Sequence, residues 1–345
     1  MSDITVLITA AGNVFMPGIT NCLKENGERK IRLIGADMSS DPSILQMFDA
    51  YYTVPKGDAS NYIDTLVDIC RKEKVNVVLP IMSVELDELS KHKHVFEENG
   101  TLISISPPDS IAIANDKLKL FDFMSKEKLP CAKYYSISNV NDLKKAILSM
   151  GYPHRDVCVK TTNSSGSRGF RIIKEKTFAL EHFLNEKPSS CIVNLKDFLT
   201  YFDGNEIIPE LLVMEYLPGT EYTVDLLADC GKTIFCGCRK SLSMSNSIML
   251  DGVVVQNDTI KDLCKKIVEK LELDGNIGFD IKEDKDGNPL VLECNPRITA
   301  GISIFKAAGI NLPYLAVKKM LGEPIPDLTV NIGTTMKRRY LEMYY

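Results

Sequence analysis

The sequence predicts an α/β protein that begins with a doubly wound, Rossmann-like domain. Over residues 4–113, short apolar runs alternate with helical stretches. This alternation is typical of a parallel sheet with helices on both faces, whose ligands bind where the strands end. A boundary follows near Ser106-Pro-Pro108, and strand–loop–strand patterns come after it. A chain of 345 residues is also long enough for more than one domain.

The positions of the elements follow from the apolar runs and the amphipathic stretches between them. In the first domain we expect strands at 4–8, 31–36, 75–80 and 102–104. We expect the intervening helices at about 17–26, 60–73 and 85–98. Later helices are expected at about 117–128, 141–149, 259–271 and 304–321, the last with Pro313 near its middle. A loop of Ser, Met and Asn should follow residue 240, and a short strand should lie around 328–332.

Composition and charge argue against several classes of protein. An apolar content of 44% and a charged content of 25% are ordinary for a soluble globular protein. The net charge of −5 argues against a general nucleic-acid binder. Because no apolar run reaches membrane-spanning length and the N-terminus does not resemble a signal peptide, we expect a cytoplasmic protein without a membrane partner. The scattered cysteines, such as Cys70, Cys158 and Cys264, should be buried thiols.

The strongest functional signal is a predicted hairpin near residue 287. Asp286-Gly287 is a favoured turn dipeptide, and a two-residue loop there would place Asp280 opposite Glu293. Opposed carboxylates ~4 Å apart repel by about 1 kcal/mol in water and by about 4 kcal/mol at an effective dielectric constant of 20, and a divalent cation would reverse that sign. Asn295 points to the same face, and Arg297 continues the row. This row suits Mg²⁺ with a polyphosphate, whereas a solvated surface hairpin is the alternative.

A second signal is a small-residue loop between two strands. Lys160 ends an apolar strand, which is an unusual position for a charge without an anionic partner. The loop that follows, at 164–169, includes Ser165, Gly166, Ser167 and Gly169. Small residues let backbone N–H groups approach a phosphate closely. The segment is not a Walker P-loop, because no helix follows it and the lysine precedes it, and a polar hairpin tip is the alternative.

A third signal is a buried strand interrupted by a Pro-Gly break. The strand ends near Glu215, Tyr216 and Leu217, and Glu221 opens the next strand. Such a break leaves backbone N–H and C=O groups free to pair with a flat heterocycle, and Glu221 could hold ribose hydroxyls. The alternative is a kinked edge strand with a solvated glutamate.

Other residues are candidates on weaker grounds. Glu85 lies at a helix start, where it could stabilise the helix dipole or contact a substrate. Arg239 and Lys240 are further substrate candidates. Gly12 and Asp37 leave a nicotinamide-dependent oxidoreductase open, although only one glycine of the dinucleotide fingerprint is present.

The three main signals together resemble the ATP-grasp superfamily, and they occur in that family's order. The segment Glu293-Cys-Asn295-Pro-Arg297 is similar to the carbamoyl-phosphate synthase large chain, and residues 216–224 resemble D-alanine–D-alanine ligase. The resemblance covers about residues 1–321. It implies a pre-ATP-grasp domain at 1–113, an ATP-grasp fold of two α+β subdomains at 114–321, and a C-terminal tail at 322–345.

The resemblance also implies roles for the candidate residues. The implied ATP-binding residues are Lys117, Lys160, the 164–169 loop, Glu215, Tyr216, Leu217 and Glu221. The implied ligands of one or two Mg²⁺ ions, which Mn²⁺ could replace, are Asp280, Glu293 and Asn295. The implied catalytic residues are Lys160 and Arg297, with Arg297 on the transferred phosphoryl group.

The reaction implied by the resemblance joins a carboxylate to an amine. The carboxylate takes the γ-phosphate of ATP as an acyl phosphate, and the amine then displaces phosphate. The expected partners are small carboxylate and amine substrates, amino acids among them, and a homodimer is left open. Carbamoyl phosphate synthesis is disfavoured, because there is room for one module, no glutaminase segment is present, and Asp280 stands where that module often carries glutamine. Phosphorylation of another small carboxylate and a non-catalytic ATP-binding module remain alternatives.

Overall fold

The computed structural model of the chain describes residues 2–162, 168–175, 184–185, 191–245, 248–339, 342 and 344. They fall into two compact units. Unit 1 comprises Met1–Asn115, Glu221–Ile281 and Glu293–Tyr345, and unit 2 comprises Asp116–Thr220 and Lys282–Leu292. The first border of the units lies close to the predicted boundary at 113, but each unit is built from separate stretches of chain. The predicted domain ranges stay a prediction.

The N-terminal part of unit 1 is a five-stranded parallel sheet, as predicted. Its strands are β1 (Ile4–Thr9), β2 (Ile31–Asp37), β3 (Ala50–Thr53), β4 (Val77–Leu79) and β5 (Leu102–Ile103), in the order β3-β2-β1-β4-β5. Successive residues of a strand point to opposite faces, so Val6 and Leu33 pack in one core cluster while Leu7 and Ile34 pack in another. Apolar side chains on both faces explain the continuous apolar runs.

The helices of this region are α1 (Met16–Lys24), α2 (Pro42–Leu45), α3 (Tyr62–Glu73), α4 (Ser83–Lys91), α5 (Lys93–Glu98) and α6 (Pro108–Ala114). The single helix predicted over 85–98 is wrong, because the structure has α4 and α5 with a break at His92. The predicted elements also omitted β3 and α2, which are only four residues long each. Such short elements carry too few residues for a periodic signal.

Unit 2 is built on a mixed five-stranded sheet. Its strands are β6 (Tyr134–Asn139), β7 (Val157–Thr161), β8 (Arg171–Ile173), β9 (Ile192–Val193) and β10 (Ile207–Glu215), in the order β6-β10-β7-β8-β9. Its labelled helices are α7 (Lys117–Lys126), α8 (Val140–Ser149) and α9 (Leu195–Thr200). Side-chain caps fix the helix starts, because Asp116 accepts the N–H groups of Leu118 and Lys119, and Asn139 accepts that of Asp142.

The remaining sheet is six-stranded, in the order β15-β14-β11-β12-β13-β16. Its strands are β11 (Glu221–Asp229), β12 (Lys232–Ser245), β13 (Ile248–Val255), β14 (Gly275–Glu283), β15 (Pro289–Asn295) and β16 (Thr335–Lys337). The loop predicted after residue 240 is wrong through residue 245, because β12 continues there in antiparallel pairing with β13. The strand predicted at 328–332 is also wrong, since β16 is the strand that pairs with β13.

The last helices are α10 (Asp258–Lys270), α11 (Ile304–Ala307) and α12 (Leu312–Met320). The single helix predicted over 304–321 is wrong, because Gly309 has a φ of +97° and separates α11 from α12. Pro313 lies in the first turn of α12, where its missing N–H breaks no helical hydrogen bond. All ten cysteines are free thiols, and Cys70, Cys158 and Cys264 are buried as predicted. No helix in the described ranges is long and apolar enough to cross a membrane.

Candidate active site

The turn of the β14–β15 hairpin is longer than the sequence predicts. The Asp284 N–H donates to the Asn288 carbonyl at 2.9 Å, which leaves three loop residues, 285–287. The Asp284 carboxylate accepts the N–H groups of Asp286 and Asn288 at 2.8 and 2.9 Å, and Gly287 adopts a φ of +84°. The two-residue loop is therefore wrong, because the Asp284 side chain stabilises a three-residue one.

The two predicted metal-binding carboxylates nevertheless converge in unit 1. The Asn295 Nδ2 lies 3.4 Å from Asp280 Oδ2 and 3.3 Å from Glu293 Oε1. Thr223 donates to the other Asp280 oxygen at 3.0 Å. The structure thus brings Asp280, Glu293 and Asn295 together at one point of the sheet.

The two acids oppose each other's ionisation. Burial, and then the charge of Glu293, raise the pKa of Asp280 to about 8, while Arg239 acts in the opposite direction. At neutral pH the two carboxylates would share a proton, since like charges this close cannot both ionise cheaply. A divalent cation could take the place of that proton, and carboxylate oxygens are ligands that Mg²⁺ prefers. This donor set fits the metal that the sequence predicts.

The Asn295 amide is oriented with its nitrogen toward the carboxylates. Its oxygen accepts from Arg297 NH2 at 3.0 Å. An amide oxygen could serve a cation only after a half-turn of the amide plane, which exchanges the oxygen and the nitrogen. As placed, the NH₂ group of this neutral amide, with its partial positive charge, lies near both acids.

Arg297 is held from three directions within unit 1. Its Nε donates to Ser83 Oγ at 3.2 Å, and NH1 donates to the Ile298 carbonyl at 3.0 Å. Burial lowers the pKa of Arg297, and Glu293, Asp280 and Glu85 act the other way. The guanidinium therefore lies in the field of the proposed metal site and is positioned by the start of α4.

Glu85 is a structural anchor in unit 1. It is buried, and its Oε1 accepts from Thr9 Oγ1 at 2.6 Å and from the Ile81 and Met82 N–H groups at 3.0 and 2.8 Å, while Oε2 accepts from the Tyr62 hydroxyl. Burial raises the pKa of Glu85, and these hydrogen bonds oppose the rise. Because four protein donors occupy both oxygens, the structure favours the structural alternative over the substrate contact.

Two of the other weak candidates, Asp37 and Arg239, form hydrogen bonds within the protein. Asp37 accepts the N–H groups of Gly12 and Ser39, each at 2.8 Å. Arg239 is buried and donates to Asp225 Oδ2 at 2.8 Å. Lys240, the next residue of β12, is half-buried and points to the opposite face by strand alternation.

Sequence reasoning missed the polar row along β11. Thr223 and Asp225 follow Glu221 at alternate positions, so all three side chains share one face. Thr223 pairs in register with Arg239 of β12. This alternation is visible in the sequence and places Thr223, which donates to Asp280, on the same face as Glu221.

Lys160 of unit 2 has an unusual environment. It is buried, its ammonium donates to the Leu292 carbonyl at 3.1 Å, and it lies 5.4 Å from the centre of the Phe121 ring. The Lys117 N–H donates to the Thr162 carbonyl at 3.4 Å, so α7 begins beside the end of β7.

The phosphate loop is only partly described. Ser165, Gly166 and Ser167 lie outside the described residues. Gly169 has a φ of +70°, and a Cβ there would lie 2.7 Å from Thr161 Cγ2. Both the conformation and the close approach require glycine at this position.

The segment at the end of β10 is the predicted adenine-binding segment, and its backbone hydrogen bonds differ between Glu215 and Leu217. Glu215 forms two hydrogen bonds with the Lys133 backbone, one through its N–H at 3.1 Å and one through Oε1 at 2.8 Å. Leu217 is buried, and within the described part of the chain its N–H makes no hydrogen bond. A buried donor of this kind is costly unless a ligand accepts from it. The Lys282 ammonium lies 5.6 Å from the centre of the neighbouring Tyr216 ring. An adenine edge would fit this segment.

Two family models match the chain. Residues 207–342 match a model described as ATP-grasp in the biosynthetic pathway with Ter operon. Residues 6–104 match a model described as PylC-like, N-terminal domain. The chain has an ATP-grasp fold. The doubly wound first domain and the later sheets of this ATP-grasp protein thus agree with the resemblance found in its sequence.

Similar proteins support the same fold. The chain is 23% identical over 294 residues to the carbamoyl phosphate synthase large chain of Clostridium acetobutylicum, which covers 81% of this chain and 25% of the relative. The ATP-grasp protein therefore spans about a quarter of the length of that relative. The biotin carboxylase domain of Hydrogenobacter thermophilus 2-oxoglutarate carboxylase, solved with MgADP, superposes with a TM-score of 0.70 at 17% identity, over 96% of this chain and 73% of that one. The L-amino acid ligase of Bacillus licheniformis superposes with a TM-score of 0.65 at 16% identity, over 92% and 74%.

Proposed function

We propose that this ATP-grasp protein is an ATP-dependent carboxylate–amine ligase. A carboxylate takes the γ-phosphoryl group of ATP, and an amine then displaces phosphate to give an amide, ADP and phosphate. The observation that carries the proposal is the convergence of Asp280 and Glu293 beside Asn295, with Arg297 hydrogen-bonded to that amide. Phosphoryl transfer needs mainly positioning and charge neutralisation, and these residue types supply both.

Each group of residues has a role in this proposal. Asp280, Glu293 and Asn295 would hold Mg²⁺, which when bound neutralises phosphate charge. Arg297 offsets the negative charge that develops as the phosphoryl group approaches the acid. In unit 2, Lys117, Lys160 and the loop that ends at Gly169 hold phosphates, and the backbone at Glu215 and Leu217 holds adenine. Glu221 binds the ribose.

The proposed substrates are a small carboxylic acid and a small amine. Support comes from the similar solved structures, one of which is an L-amino acid ligase. A second candidate function is phosphorylation of a small carboxylate without an amine, which the similarity to carbamoyl phosphate synthase large chains favours. The two functions differ only in the fate of the acyl phosphate, so one assay separates them.

The test is a screen of the full-length chain with Mg-ATP and pooled small acids and amines. With the right acid, ADP should appear and hydroxylamine should trap a hydroxamate. With the right amine as well, ADP and an amide should form in equal amounts, whereas acyl phosphate release without an amine requirement would favour the second candidate. AMP with pyrophosphate would show that the enzyme adenylates its acid instead. Consumption of a reduced nicotinamide cofactor would contradict the ligase proposal altogether.

A further inference from the structure

A pair of guanidinium groups, those of Arg239 and Arg338, lies in unit 1 next to the loop that follows Arg297. Arg239 NH2 donates to Thr299 Oγ1 at 3.3 Å, and a Cβ on Gly301 would lie 2.5 Å from Arg239 Cζ. Arg338 NH2 donates to the Ala300 carbonyl. Arg239, from β12, and Arg338, directly after β16, thus contact three successive residues of a single loop.

The sheet holds this loop in place. The Arg338 N–H donates to the Leu250 carbonyl at 2.7 Å, which extends the β16 pairing with β13 by one residue. Ser303, in the same loop, lies 3.8 Å from Met336 Sδ. Met336 and Arg338 share one face of β16 by alternation. The Arg338 guanidinium is therefore positioned by backbone pairing and by loop contact.

Arg239 has a carboxylate partner, whereas Arg338 has none among the described residues. Asp225 is fully buried, and it accepts from Arg239 Nε and from Thr299 Oγ1. Among the residues that the structure describes, no carboxylate forms an ion pair with half-buried Arg338. Burial and the charge of Arg239 lower the pKa of Arg338. A half-buried guanidinium beside a second cation is costly without an anion, because it has lost hydration without gaining a counter-charge.

This positive charge is separate from the proposed phosphoryl site. Arg297 donates to the Ile298 carbonyl, and the charges of Asp280 and Glu293 act on its guanidinium. Arg338 donates to the Ala300 carbonyl, and the charge of Arg239 acts on its guanidinium. Two residues of chain span at most about 7 Å. Because each guanidinium is hydrogen-bonded to one of these two carbonyls, a small molecule that spans the distance between the carbonyls could reach both guanidinium groups, with a different anionic group at each.

We propose that Arg338, supported by Arg239, binds a substrate carboxylate that stays unreacted. This inference rests on the proposed ligase function, and it narrows the substrate class to amino acids and short dicarboxylic acids. A planar guanidinium pairs with a carboxylate through two parallel hydrogen bonds, which a lysine cannot reproduce. The second carboxylate anchors the molecule while the reacting group lies beside Arg297.

The experiment compares two ADP-release assays on the full-length chain with Mg-ATP. Both contain a background pool of simple monocarboxylic acids and alkylamines. Only one also contains the L-amino acids and the straight-chain dicarboxylic acids from succinate to adipate. We expect ADP release above background only in the second assay. Arg338→Ala should raise the KM for the active compound at least about 30-fold, because truncating one partner of a buried charge pair costs roughly 2 kcal/mol or more.

Matched variants make this test specific. Arg339→Ala removes the same charge from the neighbouring exposed residue, which pairs with Asp251 at 3.8 Å, and should leave the KM within about twofold. Arg338→Lys keeps the charge and should recover only part of the affinity. Equal ADP release from the background pool alone would contradict the proposal, and so would an unchanged KM in Arg338→Ala.

A second measurement works without turnover. Phenylglyoxal modifies arginine, and mass spectrometry can follow its reaction at Arg338. The pool of amino acids and dicarboxylates should slow that reaction, whereas the background pool should not. Slowed modification without ADP release would support the pocket and contradict the ligase function. Unchanged modification in the absence of ADP release would overturn the pocket as well.

Discussion

Glu85 and the Asp280–Glu293 pair are acids of unit 1 with opposite surroundings, and Glu85 is buried whereas the pair is half-buried. Glu85 receives hydrogen bonds from two side-chain hydroxyls and two backbone N–H groups. Asp280 and Glu293 face each other with the Asn295 amide NH₂ near both, and Thr223 donates to Asp280. A buried acid surrounded by donors stabilises a fold, whereas two acids facing each other weaken it unless a ligand intervenes. The presence of an opposed carboxylate therefore separates the proposed functional acids from the structural one.

The largest effect on stability is expected from Glu85→Ala. The substitution would remove the acceptor of the Met82 N–H and of the Thr9 and Tyr62 hydroxyls and would leave the Ile81 N–H with Thr9 Oγ1 alone, which costs about 3–5 kcal/mol of unfolding free energy. Urea denaturation followed by circular dichroism would measure it. Asp68→Ala, on the exposed face of α3, is the control and should change stability by less than about 0.5 kcal/mol. A loss of unfolding free energy below about 1 kcal/mol in Glu85→Ala would contradict the structural role of Glu85.

In contrast to Glu85→Ala, Glu293→Gln should lower activity and leave the stability of the fold intact. Because the substitution removes one charge with little change in shape, Mg²⁺-dependent ADP release should fall by about 10²–10³. Without added metal, the unfolding free energy should stay equal or rise, since the repulsion with Asp280 is relieved. Asp262→Asn, an exposed acid on α10, should leave turnover unchanged. Near-normal turnover of Glu293→Gln would remove it from the metal site.

The pH dependence of stability sharpens the assignment of Glu85. Burial raises the pKa of Glu85, so the folded state holds this proton more tightly than the unfolded state, where the pKa is about 4.3. The resulting stabilisation is complete below about pH 4.3 and is lost as the pH rises through the folded value. The difference in unfolding free energy between the wild type and Glu85→Gln should therefore fall with rising pH. A difference that is flat from pH 4 to pH 8 would show that the folded pKa is not raised.

The smallest effect is expected from Ser83→Ala, which removes the hydroxyl that accepts from Arg297 Nε. A hydrogen bond of this kind contributes about 0.5–1.5 kcal/mol, so kcat should fall up to about tenfold with little change in stability. A fall comparable to that of Arg297→Ala would instead give Ser83 a direct part in the reaction. Steady-state kinetics of the two variants under identical conditions would distinguish these outcomes.

The parts of the fold and site that the sequence predicts depend on local patterns. Apolar runs predicted the parallel sheet, and strand alternation placed Asn295 on the same face as Glu293. The convergence of Asp280 with Glu293 was also expected, although the assumed turn was too short. The error arose because a side chain next to the turn, that of Asp284, changed the loop without separating the two acids.

The parts that the sequence does not predict depend on distant partners. The donors Thr9 and Tyr62 lie 76 and 23 residues from Glu85 in the sequence, so nothing near Glu85 reveals that it is satisfied. Arg338 and its acceptor Ala300 are 38 residues apart. The polar end of β12 reads as a loop because pairing with β13, rather than its own propensity, makes it a strand.

The discontinuous units have a consequence for how the chain is made. The stretch Asp116–Thr220 leaves the ribosome early, but unit 2 also needs Lys282–Leu292. Cys131 forms a β-bridge with Val291, and Lys160 binds the Leu292 carbonyl, so these partners are missing until residue 292 has been synthesised. Nascent chains that stop before it should expose the apolar cluster around Phe121 and Leu212, which Leu290 joins in the folded protein. Folding of unit 2 is therefore expected to finish late in translation, and chaperones would meet an incomplete core until then.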